Sequence, residues 1–139
     1  MKLKDVMTRE VITIRADSTL TEAAQKMERF NVGCLVVIED GEAKGILTDR
    51  DIVLKAIAGK WDPAIATTRE VMQSSIIWAD PETDVLEATR LMSAHHVRRL
   101  PIHEDGKLVG IVSAMDLAKV IQEEVDNLFS LRATPAYHG

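Results

Sequence analysis

The amino-acid sequence predicts an α+β fold in which one β-α-β-β-α unit occurs twice. Three observations carry this: a gapless internal repeat, a capped amphipathic helix in each copy, and a strand–turn–strand pattern after each helix. Sliding the 139-residue chain along itself by 65 positions sets Val6-Met7 over Val71-Met72 and Glu22-Ala23 over Glu87-Ala88. Glu39-Asp40-Gly41 falls on Glu104-Asp105-Gly106, Gly45-Ile46 on Gly110-Ile111, and Asp51 on Asp116. There are 14 such identities between residues 4 and 52, where chance at average residue usage gives about three.

Each element follows from local chemistry. A brief apolar strand, 11–14 or 76–78, opens each copy. Thr19 and Asp84 are N-caps, with Glu22 and Glu87 three residues on, and Leu20, Ala23, Ala24 and Met27 share one helix face, as do Val85, Ala88, Leu91 and Met92. Apolar runs at 35–38 and 100–102 are of strand length, and Asp40-Gly41 and Asp105-Gly106 are hairpin turns into strands at 45–47 and 108–112. Second helices run from 49 to about 58 and from 114 to about 125. The expected organisation is a first repeat at 1–58, a linker at 59–68, a second repeat at 69–127 and a tail at 128–139.

Composition narrows the function. Hydrophobic residues make up 46% and charged residues 28%, as in ordinary soluble domains. No apolar run reaches membrane-span length and no secretory signal follows Met1, so neither a membrane partner nor export is expected. A lone cysteine, Cys34, forms no intrachain disulfide and suits the cytoplasm. A net charge of −5 argues against nucleic acid as a partner, with the Arg98-Arg99 pair as the one local basic patch. No nucleophile–base pair or Walker-type loop appears, so no catalytic residue and no enzyme activity are expected. His95, His96 and His103 lack the spacing of a structural zinc site, and no metal is expected.

Asp5-Val6-Met7-Thr8, Gly45-Ile46-Leu47-Thr48-Asp49-Arg50-Asp51, Val97-Arg98-Arg99-Leu100-Pro101-Ile102 and Gly110-Ile111-Val112-Ser113-Ala114-Met115-Asp116 together resemble the motifs of CBS domains, the module named after cystathionine β-synthase. The resemblance spans about residues 3–125 and is to a stand-alone CBS pair. It implies two repeats related by a pseudo-two-fold axis, with sheets packed together, helices outside and two equivalent clefts. It also implies a homodimer, an adenine nucleotide (AMP, ADP or ATP) as regulatory ligand with no required cofactor, and an effector protein that reads the bound state.

The candidate site residues follow. Gly45 and Gly110 let a ligand approach the backbone, and Thr48 and Ser113 stand where a strand ends and a helix begins, a position that favours an anion. Asp51 and Asp116, one turn on, are placed to accept ribose hydroxyls. The same spacing makes capping boxes that satisfy their own helices with no ligand present. Arg98 and Arg99 match a basic position that in nucleotide-binding relatives reaches toward the other cleft, here that of Thr48 and Asp51; pairing with carboxylates at a dimer face is the other role open to them. Gly33-Cys34 holds that position in the first copy without charge, so the first cleft is expected to favour phosphates. Arg50 is a further phosphate candidate or a solvated helix residue. Ile14, Val32 and Gly33 are candidates to line one adenine slot, and Ala79 and Val97 the other, unless they serve as core. Trp78 is open to base stacking or burial. The alternatives to nucleotide sensing are a ligand-free interaction dimer, or a module for another adenosyl small molecule such as S-adenosylmethionine or NAD.

Overall fold

A computed structural model of the chain describes residues 1–132. A short 3-10 turn at Leu3–Asp5 is followed by β1 (Thr13–Arg15), α1 (Leu20–Phe30), β2 (Cys34–Glu39) and β3 (Glu42–Thr48). Next come α2 (Asp49–Asp51), which continues as a π-helical stretch through Ile52–Ile57, and the short α3 (Thr68–Val71). The second copy supplies α4 (Val85–His95), β4 (Arg99–Glu104), β5 (Lys107–Ser113) and α5 (Ala114–Arg132).

The helix starts are capped as their sequences dictate: Thr19 Oγ1 accepts from the Glu22 amide and the Asp84 carboxylate from the Leu86 amide. Both helices end on left-handed residues, Asn31 and His96, so His95 is the last helical residue and His96 its cap. Asp40-Gly41 and Asp105-Gly106 all have positive φ, the turn that matches the twist of paired strands. The hairpins β2–β3 and β4–β5 are antiparallel, and each carries a register shift at the same repeat position, after Val37 or Ile102.

The copies are not identical in structure. β1 pairs in parallel with β2, but the strand expected at 76–78 is absent, and only Ala79 bridges to Ile102. The helix after β3 widens, its Ala58 amide bonding to the Val53 carbonyl at 3.0 Å, whereas α5 is regular. α5 also runs past 125 to Arg132, so residues 128–132 of the expected tail are helical, and 133–139 lie outside the described residues. Among the described residues, no helix is long and apolar enough to cross a membrane.

Two compact units result, one contiguous (Arg9–Ile76) and one discontinuous (Met1–Thr8 with the chain from Ile77 onward). They are offset from the sequence repeats, because the opening segment of each copy is built into the unit that carries the other copy's hairpin. Gln73 borders β3 through Ile46, and Thr8 borders β5 through Ile111. In the contiguous unit Leu20, Leu35, Val37, Leu47 and Val71 form the core. In the discontinuous unit Leu3 joins Leu100, Ile102, Val112 and Leu117, all essentially without exposed surface. Burial of such side chains stabilises by roughly 1.5–3 kcal/mol each.

The repeat places Thr68 where the other unit has Leu3, and both are fully buried. Among the described residues the Thr68 hydroxyl has no hydrogen-bond partner, a cost of about 1–3 kcal/mol. Thr68→Val, which keeps the shape and removes the hydroxyl, is therefore expected to raise unfolding stability by about 1 kcal/mol in urea titration; an unchanged or lowered midpoint counts against this. The opening segment is also held by charge, with Lys2 and Lys4 both bonded to Glu82. These hydrogen bonds hold the Glu82 carboxyl down to about 2, below its ordinary value of 4.5. The depressed folded value means the contribution is complete above about pH 4.5 and is lost as pH falls through about 2. In amide exchange, Leu3 and Lys4, which bond to the Thr83 and Pro81 carbonyls, should be less protected in Glu82→Gln than in wild type at neutral pH. That difference should close as pH falls through this window; a gap that persists at pH 2 would exclude the ion pairs as its source.

Candidate functional site

In the contiguous unit β3 ends at Thr48, whose extended backbone turns the chain directly into the helix. Thr48 Oγ1 accepts from the Asp51 amide at 3.1 Å, and Asp51 Oδ2 accepts from the Thr48 amide at 3.0 Å. The discontinuous unit repeats this: Ser113 Oγ accepts from the Asp116 amide at 3.1 Å and Asp116 Oδ2 from the Ser113 amide at 3.1 Å. Both capping boxes are thus closed, and each leaves a carboxylate at the mouth of a strand–helix junction.

The carboxylates differ in what else they hold. Asp51, 8% exposed, also accepts from Gln73 Nε2 at 3.1 Å on both oxygens. Lys55 Nζ stands 3.9 Å from Asp51 Oδ1 and donates to the Val71 carbonyl at 3.0 Å. Asp116 is half-buried and has no partner beyond its own cap among the described residues. Gln73 and Lys55 were not anticipated as site residues. Their signal is a mismatch within the repeat, which sets Thr8 opposite Gln73 and Val120 opposite Lys55.

Gly45 and Gly110 do not serve as expected. A Cβ at Gly45 would lie 2.6 Å from Met72 Sδ and 2.9 Å from the Gln73 carbonyl oxygen, and one at Gly110 would lie 2.6 Å from Met7 Sδ and 3.1 Å from that of Thr8. The space these glycines leave is filled by the chain's own returning segments rather than kept for a ligand.

The remaining candidates sort by unit. Ile14 is a core residue of the contiguous unit, 6% exposed, with half-buried Val32 packed against that core. The Gly33 carbonyl accepts from the Asp49 amide, and a Cβ on Gly33 would touch the Asp49 carboxylate at 3.0 Å. Ala79 is likewise core in the discontinuous unit, with Val97 packed beside it. Arg50 is exposed on the first turn of its helix. Arg98 is exposed and Arg99 half-buried, and neither has an ion-pair partner among the described residues. The Arg98 carbonyl accepts from the Ala114 amide, and Arg99 stands directly opposite Ser113 across β4 and β5; Cys34 holds the matching place opposite Thr48. Trp78 lies 5.0 Å from His103, ring to ring, within the same unit. The described residues contain no group of three or more His, Cys, Asp or Glu able to hold a metal.

Two α+β hairpin units, each with a Gly-x-x-Ser/Thr-x-x-Asp junction, define a tandem repeat module. The chain belongs to the CBS domain family, whose model matches residues 3–57 and again 69–123. Pairs of this family are regulatory ligand-binding modules. The CBS domain-containing protein YhcV of Bacillus subtilis is 42% identical over 116 residues, covering 84% of this chain and 82% of the relative. Hypoxic response protein 1 of Mycobacterium tuberculosis is 38% identical over 121 residues, covering 86% and 85%. Among solved structures, the CBS domain pair of protein MJ0100, in complex with 5'-methylthioadenosine and S-adenosyl-L-methionine, matches with a TM-score of 0.79 at 26% identity, covering 89% of this chain and 98% of that one.

The packing at Gly45 makes a prediction that separates fold from ligand. Gly45→Ala forces a methyl group against a backbone carbonyl and should lower stability by about 1–3 kcal/mol with no ligand added. A variant of unchanged thermal midpoint would return the glycine to a ligand role.

Proposed function

We propose that this protein is a regulatory module that binds adenine nucleotides (AMP, ADP or ATP) at its two strand–helix junctions and passes the bound state to a partner protein. The observation that carries the reading is the pair of carboxylates, Asp51 and Asp116, each held by backbone amides at a helix start. A carboxylate so oriented suits the paired hydroxyls of a ribose, and the positive end of the helix beside it suits a phosphate. In this reading Thr48 and Ser113 face the phosphates with Arg98, Arg99 and Arg50 as supporting cations. Ile14, Val32 and Gly33 on one unit, and Ala79 and Val97 on the other, form the apolar rim against which adenine rests.

The protein acts in the cytoplasm as a homodimer, and an effector reads a change in its shape or rigidity. Such an effector responds only as far as the ligand prefers one state over another. S-adenosylmethionine is the second reading, favoured by the complex of the MJ0100 domain pair. Ribose recognition is common to both, so the carboxylates serve either ligand.

Calorimetric titration with AMP, ADP, ATP, S-adenosylmethionine and NAD tests this. Binding that is lost in the Asp51→Ala, Asp116→Ala double variant is the expected result, with a loss of at least about tenfold for each carboxylate removed. No heat from any of the five at millimolar concentration would leave the capping boxes as purely structural and the protein as a ligand-free interaction module.

A further inference from the structure

We infer that the two sites fill in a fixed order, the Ser113–Asp116 site first, because Gln73 and Lys55 already occupy the carboxylate that the other site must offer. The inference rests on the reading of Asp51 and Asp116 as ribose acceptors.

A ribose seat must present both carboxylate oxygens to a pair of hydroxyl donors. At Asp51 the Gln73 amide already donates to both oxygens at 3.1 Å, and Oδ2 also accepts from the Thr48 amide. Lys55 adds its charge 3.9 Å from Oδ1 while anchored on the Val71 carbonyl. With Asp51 only 8% exposed, an arriving hydroxyl must displace the Gln73 amide rather than water. Hydrogen bonds to a charged group are among the stronger ones, so the displacement is felt in affinity.

Among the described residues nothing comparable burdens Asp116. Thr8 stands where the repeat places Gln73, and Val120 where it places Lys55. Thr8 makes the same backbone bridge, to Ile111 as Gln73 does to Ile46, so the segments match and only the side chains differ. A second difference favours the same unit: Arg99, unpaired among the described residues, lies opposite Ser113, where the other unit has Cys34 opposite Thr48. The order therefore reverses the one expected from the sequence, and Gln73 is the residue that sets it. Its side chain is a latch that the ligand must lift at one site and does not meet at the other.

Titration with ATP and with S-adenosylmethionine, in wild type, Asp51→Ala, Asp116→Ala, Gln73→Thr and Thr8→Gln, tests the order. Wild type is expected to show two events about tenfold or more apart, the tighter one absent from Asp116→Ala and present in Asp51→Ala. Gln73→Thr should tighten the weaker event by about tenfold, and Thr8→Gln should weaken the tighter one. Gln73 is exposed and its fold contacts with Ile46 are through the backbone, so retained thermal midpoints will show that both exchanges leave the fold intact. A tight event lost only in Asp51→Ala overturns the order, as do two events of equal strength that Gln73→Thr does not move. Absence of binding in every variant removes the proposed function, and the inference with it; binding in the wrong order removes the inference alone.

Discussion

The structure depends on a short returning segment docking on the outer edge of each hairpin. Ile46 and Gln73 exchange backbone hydrogen bonds at 2.9 and 2.8 Å, and Thr8 and Ile111 do so at 2.9 and 3.0 Å. Each exchange pairs an edge strand that would otherwise expose its donors and acceptors. Close docking needs a residue without a side chain on the edge, which Gly45 and Gly110 supply. In the contiguous unit it also fixes what stands beside the aspartate, because Gln73, which makes the bridge, donates its side-chain amide to Asp51. Fold closure and the surroundings of Asp51 are therefore set by the same residue.

Much of this was legible in the sequence. The repeat, the caps at Thr19 and Asp84, the Asp-Gly turns and the Thr48 and Ser113 junctions all depend on neighbours within a few residues, and sequence spacing reports such neighbours directly. The offset between repeat and compact unit was not legible, since it depends on which copy's edge the opening segment joins, and both copies offer the same edge. The same limit hid Gln73, 22 residues from the carboxylate it binds. The missing strand at 76–78 is a case of apolar residues that fit strand spacing without making a ladder: in that stretch only Ala79 bridges to β4.

The copies have diverged where the repeat is under least local constraint. Capping boxes, turn residues and edge glycines agree in both, as their backbone conformations demand. Thr68 against Leu3, Gln73 against Thr8, and Lys55 in a π-helical stretch against Val120 in a regular helix all distinguish the contiguous unit while the bridge to the hairpin edge stays the same. One unit thus carries a buried hydroxyl without a partner among the described residues and a carboxylate with several. Duplicated architecture has left room for two chemically distinct junctions.

The discontinuous unit has a bearing on how the chain assembles as it is made. Arg9–Ile76 is a continuous stretch and can close as soon as it has been synthesised. Residues 1–8 precede it on the ribosome, yet their partner strand ends at Ser113. Leu3 and Met7 stay uncommitted until β5 has been added, and the pairing of Thr8 with Ile111 closes a loop of about a hundred residues. A segment translated ahead of the contiguous unit is thereby seated only after that unit has been made.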